Sequence, residues 1–189
     1  MASGRLAVFL GVESGFDHEG DPDVLRALYR LGLRVVQFST QTCFNAFADA
    51  EIDGPPVWNG INDRGRELVA LMNSLGILID ITHATAQAQE QIIAASSAPV
   101  VASHTSLAAV SGTGMADDTP AHAAHVIDTV GPDHVGIGLD LAGRRSSVLP
   151  DASGYPDLLA ALGRITTQGH AAKIAGENWL RVLTLATAP

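Results

Sequence analysis

Two histidines, His83 and His104, stand 21 residues apart, each two residues past a short apolar run rich in β-branched side chains. Gly76-Ile77-Leu78-Ile79-Asp80-Ile81 precedes the first, and Ala98-Pro99-Val100-Val101-Ala102 precedes the second. Such runs predict buried strands, so both imidazoles fall just past strand carboxyl ends. Glu13 follows a third apolar run, Leu6-Ala7-Val8-Phe9-Leu10-Gly11-Val12, in the same way. A single imidazole past a strand end is ordinarily a hydrogen-bonded structural residue. Repetition of the placement in successive units points to a shared use. One carboxylate and two imidazoles make a ligand set suited to zinc or a neighbouring first-row metal, and three protein ligands leave a fourth position for water.

The elements between these residues must bring them together. Ala84 to Ala95 is dense in Ala, Gln, Glu and Ile, so strand, His, helix, strand, His is predicted, a single βαβ crossover. A parallel crossover puts both strand ends, and both histidines, on one rim. Elsewhere strand and helix alternate. Pro22 opens a helix through Val24, Leu25, Leu28 and Tyr29 that Gly32 stops. Leu33 to Phe38 is the second strand, Ser39 to Asn62 a long polar loop, and Asp63 caps a helix with Leu68, Leu71, Met72 and Leu75 on its apolar face. Gly76 ends that helix. After a Gly, Ser and Asp-rich loop, Ala121 to Val130 is a helix. His134 to Leu139 is predicted as a fifth strand, with Asp140 at its carboxyl end as a fourth polar residue on the same rim. Helices over Tyr155 to Gln168 and His170 to Leu185 close the chain. The fold class is therefore α/β, barrel-derived, with about five parallel strands, too few for a closed (β/α)₈ barrel of about 250 residues.

With 189 residues, 47% of them apolar, and a mean hydropathy of +0.20, the chain can bury one sizeable core, and one domain is expected. A net charge of -9 without a Lys/Arg cluster argues against nucleic acid or an anionic membrane as partner. A single cysteine, Cys43, excludes an intrachain disulfide and a Cys-based zinc site, which fits a reducing, cytoplasmic setting. The short apolar run near the N-terminus meets Glu13 at once and reads as a strand rather than a signal peptide. No apolar stretch reaches the roughly 20 residues of a membrane span. His18, His122, His125 and His170 fall in polar loops or helices and are expected to be solvated. His134 opens a strand.

The strings DRGRELVALMNSLGILIDITH (Asp63 to His83), PVVASHTS (Pro99 to Ser106), DHVGIGLD (Asp133 to Asp140) and IAGENWLRVL (Ile174 to Leu183) resemble the membrane (renal) dipeptidase family of zinc metallopeptidases. GVESG followed by VLRALYRLGLRVVQ is similar to that family's bridging-glutamate strand and the helix and strand after it. The resemblance implies a (β/α)₈-barrel hydrolase that cleaves dipeptides with two zinc ions. On these positions Glu13 matches the carboxylate that bridges the metals, His83 and His104 the imidazole ligands of one of them, and Asp140 the strand-end aspartate that handles the proton of the attacking water. Departures accompany the likeness. Nothing here matches the family's His-x-Asp pair for the other metal, and Ser39 to Cys43 holds no histidine where the family has one. Ala108 stands at the family's substrate-binding arginine, and a strand between Leu107 and Asp133 is missing. The sequence therefore predicts a metal-dependent, dipeptidase-like hydrolase of small peptide or amide substrates with one zinc ion. The alternative is a degenerate homologue, subunit or fragment that needs a second chain to complete the site. An oligomer is expected in either case, because open sheet edges invite pairing.

Overall fold

Four short strands, β1 (Leu10–Val12), β2 (Leu33–Gln37), β3 (Leu78–Asp80) and β4 (Val100–Val101), form one parallel sheet in the order β1-β2-β3-β4. The computed structural model describes residues 8–13, 21–38, 47–50, 55–105, 119–139 and 151–187. They fall into two compact units, Met1–Ala102 with Leu183–Pro189, and Ser103–Val182.

The first unit carries the sheet. β3 is wholly buried, as its unbroken apolar run requires of a parallel strand covered on both faces, whereas β1 at the edge is largely exposed. Helix α1 (Pro22–Arg30) starts at Asp21, whose carboxylate accepts from the Asp23 N–H at 2.8 Å, with proline in the first turn as predicted. Helix α2 (Asp63–Leu75) is capped by Asn62 rather than Asp63. The Asn62 side-chain oxygen reaches the Gly65 N–H at 2.9 Å, leaving Asp63 as the first helical residue, where a carboxylate suits the positive end of the helix. Gly76 ends α2 in the left-handed region, φ 70°. Helix α3 (Ala86–Ala95) is capped by Thr85. Leu25 of α1, Leu68, Val69 and Met72 of α2, and Ile92 of α3 bury their stripes against Val36 and Ile79, and Phe38 meets Phe47 edge to face at 5.1 Å.

The second unit is helical: α4 (Thr119–Val130), α5 (Tyr155–Ile165), α6 (Gln168–Ala172), a kinked turn at Lys173–Glu177, and α7 (Asn178–Ala186), whose last residues belong to the first unit. The turn interrupts the expected helix from His170 to Leu185 at Gly176. Ala123, Val135, Leu158, Leu162 and Ile174 form its core. The fifth strand is not formed. His134 instead closes a 3-10 turn, Pro132–His134, and residues 135–139 carry no strand ladder among the described residues. Side chains of α7 take the bonds a neighbouring strand would supply. Asn178 Nδ2 donates to the carbonyls of Pro132 and Val135, both at 2.7 Å, and Trp179 Nε1 donates to that of Ile137 at 3.1 Å. No helix among the described residues is long and apolar enough to cross a membrane.

Candidate metal centre

Val12, Val36, Ile79 and Val100 are aligned across the four strands, so the sheet has one carboxyl rim. Glu13 is the first residue past that level on β1. Asp80 pairs with Val101, and His83 and His104 each follow three residues after those paired positions. The two histidines thus have the same offset along the chain from paired strand positions.

Glu13 and His83 meet within the first unit. Glu13 Oε1 lies 3.8 Å from His83 Nε2, with the imidazole mostly buried and the carboxylate about half exposed. That separation is too long for a hydrogen bond. Two ligand atoms of a tetrahedral ion with bonds of about 2.1 Å stand roughly 3.4 Å apart, so an ion fits between them after a shift of a few tenths of an ångström. Donor types and spacing both suit a first-row divalent metal.

A tight turn aims His83. The Ala84 N–H donates to the Ile81 carbonyl at 3.2 Å, closing Ile81-Thr82-His83-Ala84, and His83, third in the turn, has φ 67°. Type II turns give this position to Gly or Asn, because a Cβ there costs roughly 1–2 kcal/mol. Asp80 shapes the entry: its Oδ1 accepts from the Thr82 N–H at 3.0 Å and the Thr82 hydroxyl at 2.6 Å. On the exit side Ala84 forms an antiparallel bridge with Ala50, and the Thr85 N–H donates to the Asp49 carbonyl at 3.0 Å. His104 is the second residue of the second unit, with its Nδ1 2.9 Å from Ser103 Oγ. A hydrogen bond on one ring nitrogen fixes the orientation of the imidazole.

Asp140 lies outside the described residues, as do His18, Cys43 and Ala108. The other histidines belong to the second unit. His122 is buried in α4 instead of solvated, since it lies on the face that carries Ala123 and Val126 toward that unit's core. His170 Nδ1 sits 3.0 Å from the Thr166 hydroxyl. Asp80 and Asp49, which shape the His83 turn, escaped sequence reasoning. The available signal was a carboxylate inside an apolar run in each case, Asp80 between Ile79 and Ile81, and Asp49 between two alanines.

A family model described as membrane dipeptidase, peptidase family M19, matches residues 1–119 and 113–188. The chain belongs to the membrane dipeptidase family. Dipeptidase verJ of Clonostachys rogersoniana is 32% identical over 216 residues, covering 96% of this chain and 55% of that protein. The chain thus spans about half the length of the curated dipeptidases it matches. The crystal structure of dipeptidase AC, a metallopeptidase of family M19, superposes with a TM-score of 0.79 at 25% identity, covering 96% of this chain and 66% of the other. The probable dipeptidase PvdM of Pseudomonas aeruginosa gives a TM-score of 0.83 at 19% identity, covering 97% and 70%. These likenesses bear out the α/β, TIM-barrel-like fold class. Within the dipeptidase family frame, Asn178 and Trp179 of the IAGENWLRVL string have a structural task, holding residues 135–139 where no strand does.

Proposed function

We propose that this member of the dipeptidase family is a zinc-dependent hydrolase of small peptide substrates, with the metal held by Glu13, His83 and His104. The observation that carries the reading is the placement of Glu13 Oε1 3.8 Å from His83 Nε2 at the carboxyl rim of a parallel sheet, beside a strand that leads to His104. Together the three residues offer one carboxylate oxygen and two imidazole nitrogens. When bound, the metal supplies Lewis acidity that lowers the pKa of water toward 7 and polarises the scissile carbonyl. The protein residues do the rest. Glu13 contributes negative charge that offsets the cation, the imidazoles fix its position on rigid strand ends, and Asp140, by its match to the family aspartate, takes the proton of the attacking water and returns it to the leaving amine.

A second reading is favoured by specific residues. Ala108 stands where the family has a substrate-binding arginine. A site completed by a second chain accounts for this, and the same association would cover the exposed edge strand β1. Elemental analysis of the purified chain, with His83→Ala and His104→Ala, tests the primary reading alongside a dipeptide hydrolysis assay. Near one zinc per chain, lost in both variants, supports the ligand set. Zinc content unchanged in either variant overturns it.

A further inference from the structure

We propose that Asp49 is a positioning residue of the metal centre, acting on His83 through the backbone; the inference rests on the reading of His83 as a metal ligand. Asp49 is 1% exposed, a carboxylate buried outside the ligand set. A buried carboxylate is retained only where donors surround it. Here the donors are backbone. Its Oδ1 accepts from Val57 N–H at 2.8 Å and Trp58 N–H at 3.1 Å, and its Oδ2 from Gly60 N–H at 2.8 Å. The chain from Pro55 to Gly60 is therefore wrapped around one side chain.

That loop is tied to the His83 turn. The Asp49 N–H donates to the Gly60 carbonyl at 2.9 Å, and Ala48 bridges Ile61, so residues 47–50 and 60–62 form a short antiparallel ribbon. One residue further, Ala50 bridges Ala84, and the Asp49 carbonyl takes the Thr85 N–H. Ala84 and Thr85 are the two residues that follow His83. The ribbon thus clamps the exit of a turn whose third residue holds an unfavourable left-handed conformation, and such conformations persist only where surrounding structure over-determines them. Gln91 of α3 anchors the far side, its Oε1 accepting from Ile61 N–H at 2.9 Å and its Nε2 donating to the Asn59 carbonyl at 3.0 Å. Gly60, at φ 128°, allows this approach, because a Cβ there would run into the Gln91 amide. Without the Asp49 charge the loop loses its centre, the ribbon loosens, and the turn is free to relax toward conformations that swing the imbaidazole away from Glu13.

The test is metal binding by the full chain well below its melting temperature, with zinc and cobalt(II) as probes. Asp49→Asn keeps the shape but replaces one acceptor oxygen by an N–H2 group facing backbone donors. We expect zinc affinity to fall ten- to a hundredfold, the range typical of lost outer-shell support, and the visible cobalt(II) bands to shift. Val69→Ala, which removes core packing in α2 and touches neither the Asp49 loop's hydrogen bonds nor the His83 turn's, serves as the stability control and is expected to leave affinity within twofold and the cobalt bands in place. If Asp49→Asn does not fold, Asp49→Glu reads the same link, because the longer arm keeps the charge and displaces the loop. Affinity within twofold of wild type with unshifted bands overturns the positioning role, as does an equal loss in Val69→Ala. Loss of support for the metal centre itself looks different: wild type taking up no metal, or His83→Asn retaining it, overturns both ideas together.

Discussion

His83 occupies a position that local preference assigns to glycine, and that conflict is informative. A residue placed against its backbone preference costs stability, and such departures concentrate at functional sites. His83→Gly therefore separates two roles. For a structural histidine, truncation removes packing and hydrogen bonds and lowers the melting temperature. For a metal ligand in a strained turn, relief of strain offsets lost contacts, so metal-free His83→Gly should melt within about 2 °C of wild type while zinc uptake is abolished; about 1 kcal/mol shifts Tm by roughly 2–4 °C at this size. A melting drop above about 5 °C with zinc binding retained would sink the assignment. At this scale the sequence was legible in placement, with Glu13 just past β1 and His83 just past β3, while their use as metal ligands is the proposal made above. It was silent on Asp80 and Asp49, because their task depends on which backbone N–H groups the closed turns present to them.

At the scale of elements, helices were read more faithfully than strands, for a physical reason. Helix limits are written in local chemistry, such as Pro22 after Asp21 and the left-handed Gly76, whereas a strand exists only where a neighbour completes its ladder. Residues 135–139 have strand composition but are held by Asn178 and Trp179, and two glycines make that possible. A Cβ on Gly136 would sit 2.8 Å from Trp179 Nε1, and one on Gly138 would collide with the Ser103 carbonyl, on the residue that orients His104. Gly138→Ala should thus destabilise the chain by about 1–3 kcal/mol, as overpacking does, and disturb the Ser103 and His104 pair. Gly163→Ala in α5 meets open space and should stabilise by up to about 1 kcal/mol. Thermal melts compare the two, and equal effects would contradict this account. The same unit contains a pH-sensitive pair. The hydrogen bond from Lys173 Nζ to Asp133 at 2.5 Å holds that carboxyl below its usual 3.8, helped by the nearby Lys173, Arg181 and His134 charges. Its folded pKa is depressed, so its stabilisation is present above pH 3.8 and is lost as pH falls through the lower folded value. Asp133→Asn should melt slightly below wild type at pH 6, and the gap should close as pH falls below 3.8. A constant gap across that range would refute the assignment. The pair is exposed, so the gap is small.

For the whole molecule, metal binding and catalysis are predicted to come apart. A ligand that binds only the native state stabilises it by RT ln(1 + [L]/Kd), about 2.7 kcal/mol at a hundredfold excess over Kd, so zinc should raise Tm by roughly 5–10 °C in wild type and hardly at all in His83→Gly. Catalysis asks for more than three ligands. Ala108 stands where the family places an arginine for the substrate carboxylate, and a charge-assisted contact of that kind contributes roughly 1.5–3 kcal/mol, about ten- to a hundredfold in binding. On the proposed one-metal reading, a single ion would activate water and polarise the carbonyl alone, work that a two-metal site divides between its ions. The chain spans about half the length of the dipeptidases it matches. The expected outcome is a clear zinc-induced melting shift together with dipeptide hydrolysis that is weak or nil by the chain alone, and absent in Asp140→Asn. Hydrolysis at rates of 10 per second or more, a typical enzyme value, would show that the substrate carboxylate and the water are handled by residues other than those named here. No zinc shift at all would remove the metal centre itself.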